Sequence, residues 1–130
     1  MNLDLKGCEL VKRVLVVDDA IFMRKTISGA LLEAGFEVVG EARSGVEAVK
    51  KYKELNPDVV TMDITMPDMD GITAVKKLKE HDPNCKIIIV SAMGQDTMVK
   101  EALMAGAVNF LVKPLKMETI VDTLKRAVGC

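Results

Sequence analysis

Five polar residues have side chains able to do chemistry, and each follows a short apolar segment. They are Asp18, Asp19, Asp63, Ser91 and Lys113. Together they offer three carboxylates, a hydroxyl and an ammonium group. Such a set can bind a divalent cation, accept a phosphoryl group and neutralise its charge, because phosphoryl transfer depends mainly on positioning and electrostatics. The residues are far apart in the chain, so this chemistry requires a fold that brings them together.

The elements that would position these residues follow from two alternating hydrophobic patterns. Short apolar, largely β-branched segments predict five strands, at residues 14–17, 36–42, 59–62, 87–90 and 108–112. The second contains charged residues typical of an edge strand, whereas the others suit strands buried on both faces of a parallel sheet. The segments between and after them place apolar residues three and four apart, as helices do. Examples are Ile72, Val75 and Leu78, and Met98, Val99, Ala102 and Leu103. Five such units predict an α/β fold, a doubly wound sheet between two helical layers.

This fold would place all five polar residues at one edge of the sheet. Asp18 and Asp19 follow the first predicted strand, Asp63 the third, Ser91 the fourth and Lys113 the fifth. Ligands of open parallel sheets bind outside the carboxyl ends of the strands. Taken singly, the aspartates could cap a helix, Ser91 could stabilise a turn and Lys113 could be a solvated charge. Their convergence favours a binding site over those separate roles.

The residue types at the predicted site limit the ligands that it could bind. Three neighbouring carboxylates repel one another unless a cation lies among them. Hard oxygen ligands favour Mg²⁺, which commonly binds carboxylates together with phosphate oxygens. Lys113 and Ser91 could hold the remaining phosphoryl oxygens, and a carboxylate can itself be the nucleophile.

Composition excludes several other classes of function. The 130 residues are 49% hydrophobic and 28% charged, which indicates one globular domain. The net charge of −1, the 3% aromatic content and the lack of Trp argue against direct nucleic-acid binding. Cys8, Cys85 and Cys130 form no C-x-x-C pair, and His81 is the only histidine, so zinc sites and His-dependent triads are excluded. The sequence shows no signal peptide and no apolar run of membrane-spanning length, and we therefore expect a cytoplasmic protein without membrane insertion.

Four segments, in this order and at this spacing, resemble the receiver domain of two-component response regulators. They are residues 16–19 (VVDD), 62–71 (MDITMPDMDG), 90–92 (VSA) and 110–114 (FLVKP). The resemblance covers about residues 12 to 128 and is strongest to single-domain chemotaxis members. It implies a flavodoxin-like sheet with strand order 2-1-3-4-5. It also implies a receiver domain at residues 12–130 after a short N-terminal extension at residues 1–11.

The resemblance assigns roles at the acidic end of the site. Asp63 is expected to be the phosphoacceptor, and Asp19 and Asp63 are expected to bind Mg²⁺ directly. The backbone carbonyl of Thr65 would complete the protein ligands, and Asp18 would act mainly through a bound water.

It also assigns roles around the phosphoryl group. Ser91 and Lys113 would bind phosphoryl oxygens, and Phe110 would be the aromatic switch whose ring turns inward as Ser91 moves. The Lys113–Pro114 peptide bond is expected to be cis. Ser91 stands where the family often has Thr, and Phe110 replaces the Tyr of some members.

The implied partners are those of a signalling protein. A sensor histidine kinase of the CheA type would donate the phosphoryl group. The flagellar motor switch would bind the surface formed by the helical segment with Met98 and Leu103, the fifth predicted strand and the helical segment after it. A phosphatase is a further expected partner, and the protein is expected to be a monomer. A stand-alone relay protein and a receiver fragment of a DNA-binding regulator remain alternatives. The chain's end soon after the fifth helical segment favours a free-standing protein.

Two classes of enzyme fit the sequence less well than a receiver domain does. Haloacid dehalogenase-like phosphohydrolases also use Asp, Ser or Thr, Lys and Mg²⁺, and Asp63-Ile64-Thr65 resembles their nucleophile motif. Their nucleophile follows the first strand, however, and this chain is too short for a cap domain. Nucleotide-binding enzymes would show G-x-G-x-x-G or G-x-x-x-x-G-K-[ST], and neither occurs. We therefore expect no enzymatic turnover beyond self-catalysed phosphoryl transfer and autodephosphorylation.

Overall fold

Five strands alternate with five helices in the computed structural model, which describes residues 11–66 and 68–129. The elements are β1 (Arg13–Val17), α1 (Ile21–Glu33), β2 (Glu37–Ala42), α2 (Gly45–Leu55), β3 (Val59–Met62), α3 (Gly71–His81), β4 (Ile87–Ser91), α4 (Asp96–Ala105), β5 (Asn109–Val112) and α5 (Met117–Ala127). All strand pairs are parallel and the order is β2-β1-β3-β4-β5. The predicted fold class and the strand order implied by the resemblance are confirmed.

The sheet has a hydrophobic layer on each face because successive side chains of a strand point in opposite directions. On β1, Leu15 and Val17 pack with α2, α3 and α4, whereas Val14 and Val16 pack with α1 and α5. Burying an aliphatic side chain of this size contributes about 1.5–3 kcal/mol, so these two layers supply the main driving force for the fold. They fix the central strands, whose carboxyl ends carry the candidate site.

The edge of the sheet at β5 differs from the sequence-based prediction. Residues 108–112 were expected to form a strand buried on both faces, but β5 begins at Asn109, and Val108 and Val112 are 49% and 45% exposed. The prediction was wrong because β5 is the outermost strand and pairs with β4 alone. For the same reason α4, which lies over this edge, buries only Ala102, and Leu103 of its predicted apolar face is 44% exposed.

Some features fall outside the described residues. Except for Val11, the predicted N-terminal extension at residues 1–11 lies outside them, and so do Cys8 and Cys130. Cys85 is a buried free thiol. Within the part of the chain that the structure describes, no helix is long and apolar enough to cross a membrane.

Candidate functional site

The hydrogen-bond pattern of the sheet continues one residue beyond β1 and β3. The Asp18 N–H donates to the carbonyl of Ala42, at the end of β2, at 3.0 Å. The Asp63 N–H donates to the carbonyl of Val17, at the end of β1, also at 3.0 Å. Asp18 and Asp63 are therefore held side by side by backbone contacts that do not depend on their own side chains.

Three carboxylates meet at this point. Asp18, Asp19 and Asp63 each offer an oxygen, and these three oxygens lie within 4.8 Å of one another. Asp18 and Asp63 are buried, whereas Asp19 is exposed. The cluster thus consists of two buried carboxylates and one that faces solvent.

The electrostatics of the cluster favour a cation. Burial raises the pKa of the Asp63 carboxyl, and the Asp18 charge raises it further, while Lys113 and the backbone N–H of Ile64 act in the opposite direction without cancelling the effect. Three oxygen donors of this kind are the ligands that a hard divalent cation prefers. The residues present therefore fit Mg²⁺.

Lys113 brings positive charge to the cluster from the far end of the chain. Its Nζ donates to Oδ2 of Asp18 at 2.9 Å, and its side chain is 18% exposed. Its backbone N–H donates to the carbonyl of Ser91 at 2.8 Å, which ties the ends of β4 and β5 together. The peptide bond from Lys113 to Pro114 is cis, as the resemblance implies.

The other residues singled out in the sequence lie on β4, on β5 and in the loop after β3. Ser91 is fully buried at the end of β4, and its Oγ accepts a hydrogen bond from the N–H of Met93 at 3.2 Å. Thr65 is exposed in the loop after β3, two residues beyond Asp63. Phe110 is half-buried on β5, where it is paired with Ile89 and packs against the layer formed by α2, α3 and α4. The structure thus places Phe110 two residues before the end of β5.

Besides meeting at the site, some of these residues make the local turn contacts that were considered for each residue taken singly. Oδ1 of Asp18 accepts a hydrogen bond from the N–H of Ala20 at 2.9 Å, so Asp18 also shapes the turn into α1. The N-cap of α1 is Ala20, which has no side-chain cap, so neither aspartate caps this helix. The contact between Ser91 and Met93 is the turn contact considered for Ser91 alone.

Two residues to which the sequence assigned no role at the site support it. Gly71 begins α3, and its N–H donates to the carbonyl of Ile64 at 2.8 Å. A Cβ at Gly71 would lie only 2.3 Å from the carbonyl oxygen of Asp63, so only glycine allows this approach. Arg24, in the first turns of α1, donates through Nη1 to the carbonyls of Asp18 and Asp19. The sequence signals were the Asp70-Gly71 pair and the short distance from Asp19 to Arg24, and neither revealed the contact.

Comparisons with known proteins agree with this geometry. The chain matches the family model of the response regulator receiver domain over residues 14–125. It is 57% identical to the chemotaxis protein CheY of Thermotoga maritima over 115 residues, and this alignment covers 88% of this chain and 96% of that protein. It is 51% identical over 120 residues to CheY of Bacillus subtilis, which covers 92% of this chain and 100% of that protein.

A solved structure shows the same fold. The chain is similar to the crystal structure of the CheX-CheY-BeF3-Mg²⁺ complex from Borrelia burgdorferi, with a TM-score of 0.85 and 41% identity, covering 88% of this chain and 87% of that chain. The family model, the similarity to curated relatives over nearly the whole chain and the three-carboxylate cluster lead to the same conclusion: this chain belongs to the receiver-domain family of response regulators.

Proposed function

We propose that this protein is a phosphoacceptor in a two-component pathway, in which Asp63 takes a phosphoryl group from a phosphohistidine on a sensor histidine kinase of the CheA type. The observation that carries the proposal is the convergence of Asp18, Asp19 and Asp63 with Lys113, from three strand ends, at one edge of the sheet. A structural role for each residue separately would not require this meeting. Membership in the receiver-domain family supports the same proposal.

The carboxylate cluster would hold Mg²⁺. Asp19 and Asp63 would bind it directly with the backbone carbonyl of Thr65, and Asp18 would act mainly through a bound water. When bound, Mg²⁺ supplies positive charge that offsets the negative charge of the phosphoryl oxygens. Among the residues that the structure describes, three carboxylates and the ammonium group of Lys113 meet in the cluster, so the negative charge is in excess and favours such a cation.

The family resemblance assigns Asp63 as the nucleophile, and the side-chain contacts fit that role better for Asp63 than for Asp18. Both oxygens of Asp18 are engaged, Oδ1 by the Ala20 N–H and Oδ2 by Lys113. Asp63 accepts a hydrogen bond at Oδ1 from the Ile64 N–H at 2.8 Å, which restrains the rotation of the carboxyl group. The bond from an Asp63 oxygen to phosphorus forms as the phosphorus–nitrogen bond of the donor breaks.

Lys113 and Ser91 would respond to the new charge. The Lys113 ammonium group can exchange its contact with Asp18 for one with a phosphoryl oxygen. The Ser91 Oγ accepts from Met93 and keeps its own hydrogen to donate to the phosphoryl group. Because Ser91 follows directly after the core residues of β4, its movement would be transmitted to Phe110 on the neighbouring strand.

The output surface is proposed to lie on α4, β5 and α5. Exposed apolar side chains at this side of the molecule give a partner a surface to bind: Leu103, Met104, Val108 and Val112. We propose the flagellar motor switch as the target, with the protein acting as a cytoplasmic monomer. If the protein is instead a stand-alone relay protein or the receiver part of a DNA-binding regulator, it would not bind the motor switch. A binding assay with the motor switch protein, with and without phosphorylation, separates these outcomes.

The phosphoacceptor role is tested with acetyl phosphate and Mg²⁺. Intact-protein mass spectrometry should show the gain of one phosphoryl group in the wild type and none in Asp63→Asn. The matched control is Asp122→Asn, an exposed aspartate of α5 away from the cluster, which should be labelled like the wild type. Labelling that persists in Asp63→Asn, or that is unaffected by EDTA, would refute the proposal. Steady turnover of a phosphomonoester would instead favour a phosphohydrolase.

A further inference from the structure

The Arg24 side chain contacts both the loop after β1 and the β2 residue Glu41. Its Nη1 donates to the backbone carbonyl of Asp18 at 2.8 Å and to that of Asp19 at 3.4 Å. Its Nε donates to Oε1 of Glu41 at 3.3 Å. One planar guanidinium group therefore connects the loop that carries two of the three carboxylates to the end of β2.

Glu41 is a fixed anchor for this guanidinium group. It lies in β2, where it is paired with Val16 of β1, and Lys51 of α2 donates to its backbone carbonyl. Its neighbour Ala42 accepts the Asp18 N–H at 3.0 Å. The Asp18 residue is thus held at its N–H by the backbone of β2 and at its C=O by Arg24.

Asp19 depends on this arrangement more than its neighbours do. Asp18 and Asp63 are buried and hydrogen-bonded through their side chains, whereas the exposed Asp19 carboxylate accepts no hydrogen bond from any residue in 11–66 or 68–129. Its position is set by its backbone, and the Asp19 carbonyl is one of the groups that Arg24 contacts.

We propose that Arg24 is a positioning residue for the Mg²⁺ site: it fixes the peptide groups of Asp18 and Asp19 so that their carboxylates face Asp63. This inference rests on the proposed function, since it concerns the cation that the cluster would hold. Direct contact of Arg24 with the cation or the phosphoryl group is not part of this proposal. It acts only through the backbone of the two aspartates.

Lys25 provides a matched control within the same ion-pair group. Its Nζ donates to Oε2 of Glu41 at 3.0 Å, so it shares the anchor and the sign of charge with Arg24. It makes no contact with Asp18 or Asp19 in the described structure, and its side chain is 66% exposed compared with 13% for Arg24. A difference between variants at these two positions therefore reports on the carbonyl contacts and not on the net charge.

The test measures Mg²⁺ affinity by isothermal titration calorimetry in the wild type, Arg24→Ala, Arg24→Lys and Lys25→Ala. Removing an outer residue that orients metal ligands typically weakens metal binding by about 10- to 100-fold, and we expect that loss in Arg24→Ala. Lys25→Ala should bind Mg²⁺ like the wild type. Arg24→Lys should fall between them, because one ammonium group cannot match the fork that contacts two carbonyls and Glu41.

Two further measurements separate positioning from a general structural role. Urea unfolding in EDTA shows whether each variant is folded; if Arg24→Ala is not, Arg24→Lys carries the test. The labelling rate with acetyl phosphate should be low in the Arg24 variant at limiting Mg²⁺ and should recover at saturating Mg²⁺, because Asp63 and Lys113 are intact.

The outcomes are distinct. Unchanged Mg²⁺ affinity in a folded Arg24 variant would overturn the inference, and so would an equal loss in Lys25→Ala. A labelling rate that stays low at saturating Mg²⁺ would also overturn it, because Arg24 would then act on something other than the cation site. Failure of the wild type to take up a phosphoryl group would instead overturn the proposed function.

Discussion

Gly71 allows the sharpest single test of how the site is built. It is the first residue of α3, and a Cβ placed there would lie 2.3 Å from the carbonyl oxygen of Asp63 and 2.7 Å from Cα of Ile64. Both neighbours are backbone atoms and cannot turn aside as a side chain could. Since ordinary contacts begin at 3.4 Å, Gly71→Ala requires α3 and the loop after β3 to separate by about 1.1 Å.

Two effects of different size follow from that displacement. Inserting one methyl group into a tightly packed region costs about 1–3 kcal/mol, and a domain of this kind has about 5–15 kcal/mol of stability, so Gly71→Ala should remain folded. The displaced atoms belong to Asp63 itself. Because a misplacement of about 1 Å can cost about 100-fold in rate, we expect labelling by acetyl phosphate to slow by about that factor.

Gly29 is the matched control. It lies within α1, and a Cβ there would have no atom within 4 Å. Gly29→Ala should therefore raise the free energy of unfolding by about 1 kcal/mol, the usual gain of alanine over glycine in a helix, without changing the labelling rate. The assays are urea unfolding followed by circular dichroism in EDTA, and the initial rate of mass gain at saturating Mg²⁺.

A Gly71→Ala protein as stable as the wild type would refute the steric argument. A destabilised variant that labels at the wild-type rate would refute the claim that the start of α3 positions Asp63.

Three further predictions concern the charge and hydrogen bonding of single groups. Burial and the Asp18 charge raise the pKa of Asp63 above its ordinary value of 3.8. The protonated carboxyl group is therefore favoured in the folded protein, and its contribution to the free energy of unfolding is lost as the pH rises through the raised pKa. In EDTA, Asp63→Asn should therefore be more stable than the wild type at about pH 7 and similar to it at about pH 3, as judged by urea midpoints. Mg²⁺ at about 100 times its dissociation constant should stabilise the wild type by about 2.7 kcal/mol, and an equal gain in Asp63→Asn would contradict the assignment of Asp63 as a ligand. Tyr52→Phe removes the hydroxyl that donates to Asp82 at 2.9 Å and should cost about 1 kcal/mol. Burial and this hydrogen bond raise the pKa of Tyr52, so wild-type stability should fall as the pH rises above 10.0, and a Tyr52→Phe curve with the same decline would refute this origin.

The sequence alone was sufficient to predict which polar residues would meet, for a simple physical reason. Continuous apolar segments predict parallel strands, and the residue after each such strand lies at the same edge of the sheet. Asp18, Asp63 and Lys113 could therefore be placed together before any contact was known. The strand order came from the family resemblance, because hydrophobic patterns do not reveal which strands are neighbours.

Other features depend on three-dimensional context that no local pattern contains. Val112 and Leu103 look like core residues in the sequence, but their exposure depends on β5 lying at the edge of the sheet. Gly71 ends the segment 62–71 on which the family resemblance rests, but its close approach to Asp63 appears only when α3 is packed. Arg24 is one of many surface-type residues in the sequence, and its two carbonyl contacts depend on the conformation of the loop after β1.

The contact between Lys113 and Asp18 joins residues 95 positions apart. Asp18, Asp19 and Asp63 all belong to the first half of the chain, whereas Lys113 follows β5, the last of the described strands in chain order. A nascent chain that has assembled only β1, β2 and β3 therefore carries the acidic cluster without its ammonium group. We expect the contact between Lys113 and Asp18 to form only after β4 has paired with β3 and β5 with β4, because β5 has no other strand to join. If Asp63 accepts a phosphoryl group as proposed, this ability should therefore arise only when the sheet is complete, and partly folded molecules should not be labelled.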